Sequence, residues 1–215
     1  MEYSVVIVAA GSGSRMGLGY NKMLFQLKNG HTILEETVSK FYDDKRCKQV
    51  IVVASDYDLE TFQTLFKDKN IEFTKGGKTR QDSVYQGLKK VKQDYVFIHD
   101  GARPWISKDC INRIVEVLET KEACLLMMPV KDTIKVVEDG KVINTPKRST
   151  LFLAQTPQAF VTKKIIKAYD QAYEKGIQAT DDAQIMELCG DCEVYMVEGS
   201  YENMKVTTKE DIEGK

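Results

Sequence analysis

The chain has 215 residues, 42% of them hydrophobic and 29% charged, with a formal net charge of −1 at pH 7. This length and composition suit one globular domain with a large core. They lack the basic excess of a nucleic-acid binder and any apolar run near the ~18 residues of a membrane span. The chain opens directly on an apolar segment without a signal-peptide pattern, and its five cysteines fit reduced thiols, so the expected compartment is cytoplasmic.

Short apolar runs alternate with helical patterns, the mark of βαβ units on a largely parallel sheet flanked by helices. Strands are expected at 4–9, 49–54, 71–74, 95–99 and 123–128, with helices at 32–42, 58–67, 81–90 and 107–120. Ile114, Val115 and Leu118 illustrate the helical spacing of apolar positions in the last of these. From 131 to 160 the rhythm changes to DTIKVV, EDGK and VINTP, and Asp139-Gly140 between two alternating runs signals a hairpin turn. This stretch has too few apolar residues for its own core. It is expected to project from the single domain as an arm of the kind that often packs on another subunit, with a surface hairpin on a monomer as the alternative. Helices at 162–175 and 181–188 precede a strand at 193–197. Cys189 and Cys192 spell C-x-x-C, but at the end of a helix rather than at the N-terminus where the dipole would activate a thiol.

The segment VVIVAAGSGSRMGLGYNK, residues 5–22, carries the strongest functional signal. A β-branched run ends in Ala9 and Ala10, then Gly11, Gly13 and Gly17 follow, with Arg15 and Lys22 among and after them. Such a strand-to-glycine-loop junction brings backbone N–H groups close to a ligand, and the two cations make phosphate the expected guest. The third glycine comes one residue too late for a dinucleotide fingerprint, and no Gly-Lys-Ser/Thr follows as in a Walker loop.

Ligands bind open α/β sheets at the C-terminal ends of their parallel strands. Those ends carry residues 11–22, then GGKTRQDSVYQGL at 76–88 with Gly77, Arg80 and Ser83, then HDGARP at 99–104, then Asp132, Thr133, Arg148 and the QTPQ at 155–158. Four of the six arginines (Arg15, Arg80, Arg103 and Arg148) fall in these segments, and the planar guanidinium fork suits phosphate. Asp100 at a strand end suits Mg²⁺, which takes one or two carboxylates together with phosphate oxygens.

Taken together, AAGSGSRMG with Lys22, GGKTRQDSVYQGL, HDGARP, DTIK with TPKRS, QTPQAF, TDDA at 180–183 and ENMKVT at 202–207 resemble the bacterial 2-C-methyl-D-erythritol 4-phosphate cytidylyltransferases. The resemblance implies a Rossmann-like nucleotidyltransferase fold, a homodimer joined through the hairpin arms, and cytidylyl transfer from CTP to a sugar phosphate with Mg²⁺ or another divalent cation. It implies that Ala9, Ala10, Gly11, Gly13, Gly77 and Ser83 surround the nucleotide. Arg15 and Lys22 would hold the triphosphate, Asp100 the metal and Lys205 the α-phosphate region. Arg103 would shape the sugar-phosphate site, with Thr133 and Arg148 supplied by a partner's arm. The chain departs from the family at Asn21-Lys22-Met23, where many members read Pro-Lys-Gln, and at Lys78, where an acidic residue is common. Ribitol-5-phosphate cytidylyltransferases share the glycine loop, arm and QTPQ, so that activity is the alternative. A non-catalytic nucleotide-binding protein is the alternative from another class.

Overall fold

A computed structural model of the chain describes residues 1–11, 19–208 and 210–212. Its seven-stranded sheet contains β1 (Tyr3–Val8), β2 (Cys47–Ala54), β3 (Glu72–Lys75), β4 (Tyr95–Asp100), β5 (Ala123–Pro129), β8 (Phe152–Val161) and β9 (Tyr195–Glu198), in the order β3-β2-β1-β4-β8-β5-β9. Every pairing is parallel except the two made by β8, which runs antiparallel between β4 and β5.

The pleat explains why β1 and its neighbours read as unbroken apolar runs. Val5, Ile7, Val50, Val52 and Phe97 point to one face, and Val6, Ile51, Val53, Val96 and Ile98 to the other, so both faces need a cover. The first face is covered by α1 (Ile33–Tyr42) and α4 (Lys108–Leu118), whose buried Phe41, Ile111 and Ile114 lie three and four residues from other core positions. The second is covered by α3 (Arg80–Leu88), α5 (Thr162–Glu174) and α6 (Asp182–Cys189). A side chain at Gly87 would put its Cβ 2.4 Å from Val6 Cγ1, so the bare backbone lets α3 lie directly on β1. The remaining helix, α2 (Leu59–Leu65), buries Phe62.

Within 131–160 an exposed hairpin occupies only the middle of the span. Strands β6 (Val136–Glu138) and β7 (Lys141–Asn144) form a separate two-stranded sheet, all of it exposed, around a turn in which Asp139 and Gly140 have φ of 48° and 76°. Residues 152–160, expected in the arm, instead belong to β8 in the middle of the main sheet. Gln155, Thr156, Pro157 and Gln158 made that strand illegible, because polar residues and a proline argue against a central position. Pro157 is tolerated because the β5–β8 register shifts there, between the Leu125↔Gln158 and Met127↔Ala154 pairs. The polar side chains are bonded from outside the sheet: Gln155 Nε2 donates to Ser200 O at 2.8 Å, and Gln158 Nε2 to Asp181 Oδ2 at 2.9 Å.

Among the described residues no helix is long and apolar enough to cross a membrane, and all five cysteines are free. Cys189 closes α6, at the helix end that does not activate a thiol.

Candidate active site

The carboxyl ends of β1 and β4, the turn after β3 and the first turn of α3 surround a cavity of about 310 Å³, closed on another side by the segment around Lys205 and Thr207. Its described wall carries four cationic side chains (Lys22, Lys78, Arg80 and Lys205) and a single carboxylate, Asp100.

Two glycines set the shape of the wall. A Cβ on Gly76 would stand 2.6 Å from Ala10 Cβ and 2.8 Å from Ser83 Oγ, and one on Gly77 2.2 Å from Asp82 Cβ. The turn after β3 therefore presses against both β1 and α3 only because it lacks side chains. Ser83 then braces it, accepting from Gly77 N–H at 3.1 Å and donating to Thr79 O at 2.9 Å. Thr79 and Asp82 form a reciprocal capping box at the start of α3, and the Tyr173 hydroxyl donates to the free oxygen of Asp82 at 2.7 Å.

Asp100 lies at the centre of the charge. Its Oδ2 is 2.7 Å from Lys205 Nζ and 3.8 Å from Arg103 Nε, and its Oδ1 is 3.3 Å from Arg80 Nε. Burial opposes its ionisation, but Arg80, Lys205 and Arg103 together override burial and hold the carboxyl well below the usual carboxylate range. A chain of hydrogen bonds fixes its backbone. Asp100 N–H donates to Thr156 Oγ1 at 3.0 Å, and Thr156 Oγ1 lies 3.1 Å from His99 Nδ1. His99 Nε2–H donates to Arg103 O at 3.1 Å, which leaves Nδ1 as the acceptor of the Thr156 hydroxyl. His99 is completely buried against Phe41, and burial pushes its imidazole down to about 4.

Several of the residues singled out from sequence meet here. Ala10, Gly11, Lys22, Gly77, Ser83, Asp100 and Lys205 all line the cavity. Lys22 is buried and donates to Val206 O at 2.7 Å, which ties the segment after β9 to the segment after β1. Ala9 differs: its side chain packs into the core beneath the cavity, while its N–H donates to Val53 O. Arg103 is partly buried beside Asp100 rather than on the cavity wall; its Nη1 donates to Asn203 O at 2.7 Å, and its buried Nε has no hydrogen-bond acceptor. Thr133 and Arg148 are exposed at the base of the arm and do not line this chain's cavity. Gly13 and Arg15 lie outside the described residues.

Arg80, one of the four strand-end arginines, lines the cavity with its guanidinium already engaged by carboxylates. Its Nη1 and Nη2 grip both oxygens of Asp182 at 3.2 and 2.8 Å, so this guanidinium serves carboxylates. The sequence pattern also gave no weight to Asp182, to Tyr169, whose hydroxyl donates to Asp182 Oδ1 at 2.6 Å, or to the fully buried Asn203. TDDA and ENMKVT were visible as strings, but nothing in them told which side chain reaches back to the cavity.

Comparison with known proteins gives one family. The profile described as 2-C-methyl-D-erythritol 4-phosphate cytidylyltransferase matches residues 3–214. The protein of that name from Clostridioides difficile is 44% identical over 216 residues, covering 98% of this chain and 90% of its own length. The one from Halalkalibacterium halodurans is 44% identical over 217 residues, covering 99% and 94%. Among solved structures, the 4-diphosphocytidyl-2C-methyl-D-erythritol synthase of Anaerococcus prevotii superposes with a TM-score of 0.88 at 32% identity, over 99% of this chain and 93% of that one. The Francisella tularensis cytidylyltransferase gives 0.82 at 32% identity, over 100% and 98%.

Proposed function

The chain belongs to the 2-C-methyl-D-erythritol 4-phosphate cytidylyltransferase family, and from that premise we infer how its residues divide the work. The enzyme transfers the cytidylyl group of CTP to 2-C-methyl-D-erythritol 4-phosphate, releasing pyrophosphate in isoprenoid precursor synthesis. The relatives compared above carry that substrate in their names, which sets aside the ribitol and non-catalytic readings.

The observation that carries the assignment of roles is the charge of the cavity: four cationic side chains facing one ionised carboxylate. The nucleophile is a phosphate monoester, whose second pKa near ~6 leaves it mostly dianionic at neutral pH. No general base is needed. His99 is not one, since both ring nitrogens are occupied and it stays neutral. The difficulty is that one anion must attack another, while a pentacoordinate phosphorus gathers further negative charge. Preorganised cations answer this, and a single well-placed donor is typically worth ~10²–10³ in rate. Lys22 and Lys205 supply charge from the cavity wall, and Arg15 from the glycine loop is the third member of this set. Ala10, Gly11 and Gly77 leave room for a pyrimidine, whose amino group suits the backbone carbonyls there, and purine nucleotides are expected to be poor substrates.

The donor set fits Mg²⁺ brought in on the nucleotide. Among the described residues no cluster of three or more His, Cys, Asp or Glu could hold a metal alone, so Asp100 would be its one protein ligand beside phosphate oxygens and water. When bound, the ion neutralises charge on the phosphates and stabilises the leaving pyrophosphate.

The sugar phosphate is assigned to Arg103 on one side, and to Thr133 and Arg148 of a partner's arm on the other. Exposed Val136, Val137, Val142 and Ile143 on the hairpin support a homodimer, since an isolated two-stranded arm is marginal without a surface to pack on. The free thiols fit a cytoplasmic location. Pyrophosphate release with CTP and Mg²⁺, measured against 2-C-methyl-D-erythritol 4-phosphate and ribitol 5-phosphate in parallel, tests the whole reading. Release with the first acceptor and at most a few per cent of that rate with the second is expected; the reverse preference overturns the sugar assignment, and equal rates with ATP overturn the pyrimidine pocket.

A further inference from the structure

We propose that Asp182 and Tyr169, neither of which touches the cavity, are positioning residues for the transfer, acting through Arg80 on Asp100. Asp182 opens α6 with no solvent exposure, and its two oxygens accept from Arg80 Nη1, Arg80 Nη2 and the Tyr169 hydroxyl. Tyr169 is itself buried, its ring stacked against Tyr85 with centroids 5.7 Å apart. An ion pair this deep is a poor device for stability alone, because apolar residues of the same volume often serve as well or better.

Its effect lies at the far end of the guanidinium. Asp182 takes the end-on edge of the Arg80 fork, formed by Nη1 and Nη2. Held in that orientation, Arg80 meets Asp100 on its side-on edge through Nε alone, in a single contact at 3.3 Å. The other oxygen of Asp100 meets Lys205, a half-exposed side chain free to turn to an entering phosphate. Asp182 thus sets how much of the Arg80 charge falls on Asp100. Without it, the fork swings over and closes on Asp100 as a bidentate pair, competing with whatever cation the nucleotide carries. Tyr169 holds Asp182 square to Arg80.

The proposal rests on the reading of Asp100 as a cation ligand, so two measurements are paired. In the ligand-free protein, the side-chain Nε–H resonance of Arg80 should shift in Asp182→Asn and shift again when Asp100→Asn is added. Absence of the second shift overturns the proposal. Mn²⁺ binding to the complex with a non-hydrolysable CTP analogue, followed by electron paramagnetic resonance, should weaken at least about tenfold in Asp182→Asn, as for other groups that orient a metal ligand. Tyr169→Phe, which keeps the stacked ring and should fold even if Asp182→Asn does not, should weaken it in the same direction by less. In both variants saturating Mn²⁺ should restore kcat to near wild type, which a loss of folded protein would not allow. Unchanged Mn²⁺ affinity in both variants overturns the proposal; unchanged affinity in Asp100→Asn overturns instead the role given to Asp100.

Discussion

Lys205 Nζ stands 2.7 Å from Asp100 Oδ2, across 105 residues of sequence, and joins the segment after the last strand to the end of β4. The lysine side chain is 38% exposed, so the pair is screened and contributes at most about 1 kcal/mol to folding. Lys205→Met should therefore melt within a few degrees of the wild type while kcat falls by roughly 10²–10³. Melting by differential scanning fluorimetry beside single-turnover kinetics measures both, and a large fall in melting temperature with intact kcat would reverse the assignment.

Lys22 differs in being buried, with its ammonium on Val206 O. Lys22→Ala should lose roughly 10²–10³ in kcat and also about 1–3 kcal/mol of stability, because a buried carbonyl loses its donor. Urea unfolding and turnover with saturating CTP report the two losses. Near-normal turnover would remove Lys22 from the set of charge-stabilising residues.

The bare turn after β3 can be tested without touching a charge. Gly77→Ala forces a Cβ into Asp82, a member of the α3 capping box. The cost should be about 1–2 kcal/mol of stability, with the KM for CTP raised more than kcat is lowered. An unchanged KM would mean that the turn does not shape the nucleotide pocket.

His99 makes stability depend on acidity. Its imidazole titrates near 6.5 when unfolded but only at about 4 in the native protein, so between these values the unfolded chain binds the extra proton. The stabilisation is complete above pH 6.5 and drains away as pH falls towards 4, by on the order of 3 kcal/mol in all. The free energy of unfolding of the wild type should fall by about that much more than that of His99→Gln over this window. Parallel pH profiles would contradict the buried neutral imidazole.

For the arm, Val137→Asp combined with Val142→Asp should convert a dimer to a monomer by light scattering. The melting temperature of the monomer should stay near that of the wild type, since both side chains are already 54% and 61% exposed. An unchanged mass would move the interface elsewhere.

Sequence patterning located most of this molecule because parallel strands buried on both faces have no polar alternation to confuse them, as in Val5–Val8, and because glycines at 76 and 77 record a close approach directly. It failed where long-range bonds decide the outcome. Gln155 and Gln158 look like surface residues until Ser200 and Asp181 arrive from later segments to bond them. The Arg80–Asp182 pair is hidden for the same reason: the two lie 102 residues apart, and no local spacing betrays that they meet.

The way β5 and β8 carry the hairpin has an evolutionary corollary. The chain leaves the sheet after Pro129 and re-enters at Phe152, opposite it in the ladder, so the excursion begins and ends at one place. Residues can be gained or lost between those two points without sliding any strand past its neighbours. The length of the hairpin is thus free to vary while the cavity end of the sheet stays as it stands.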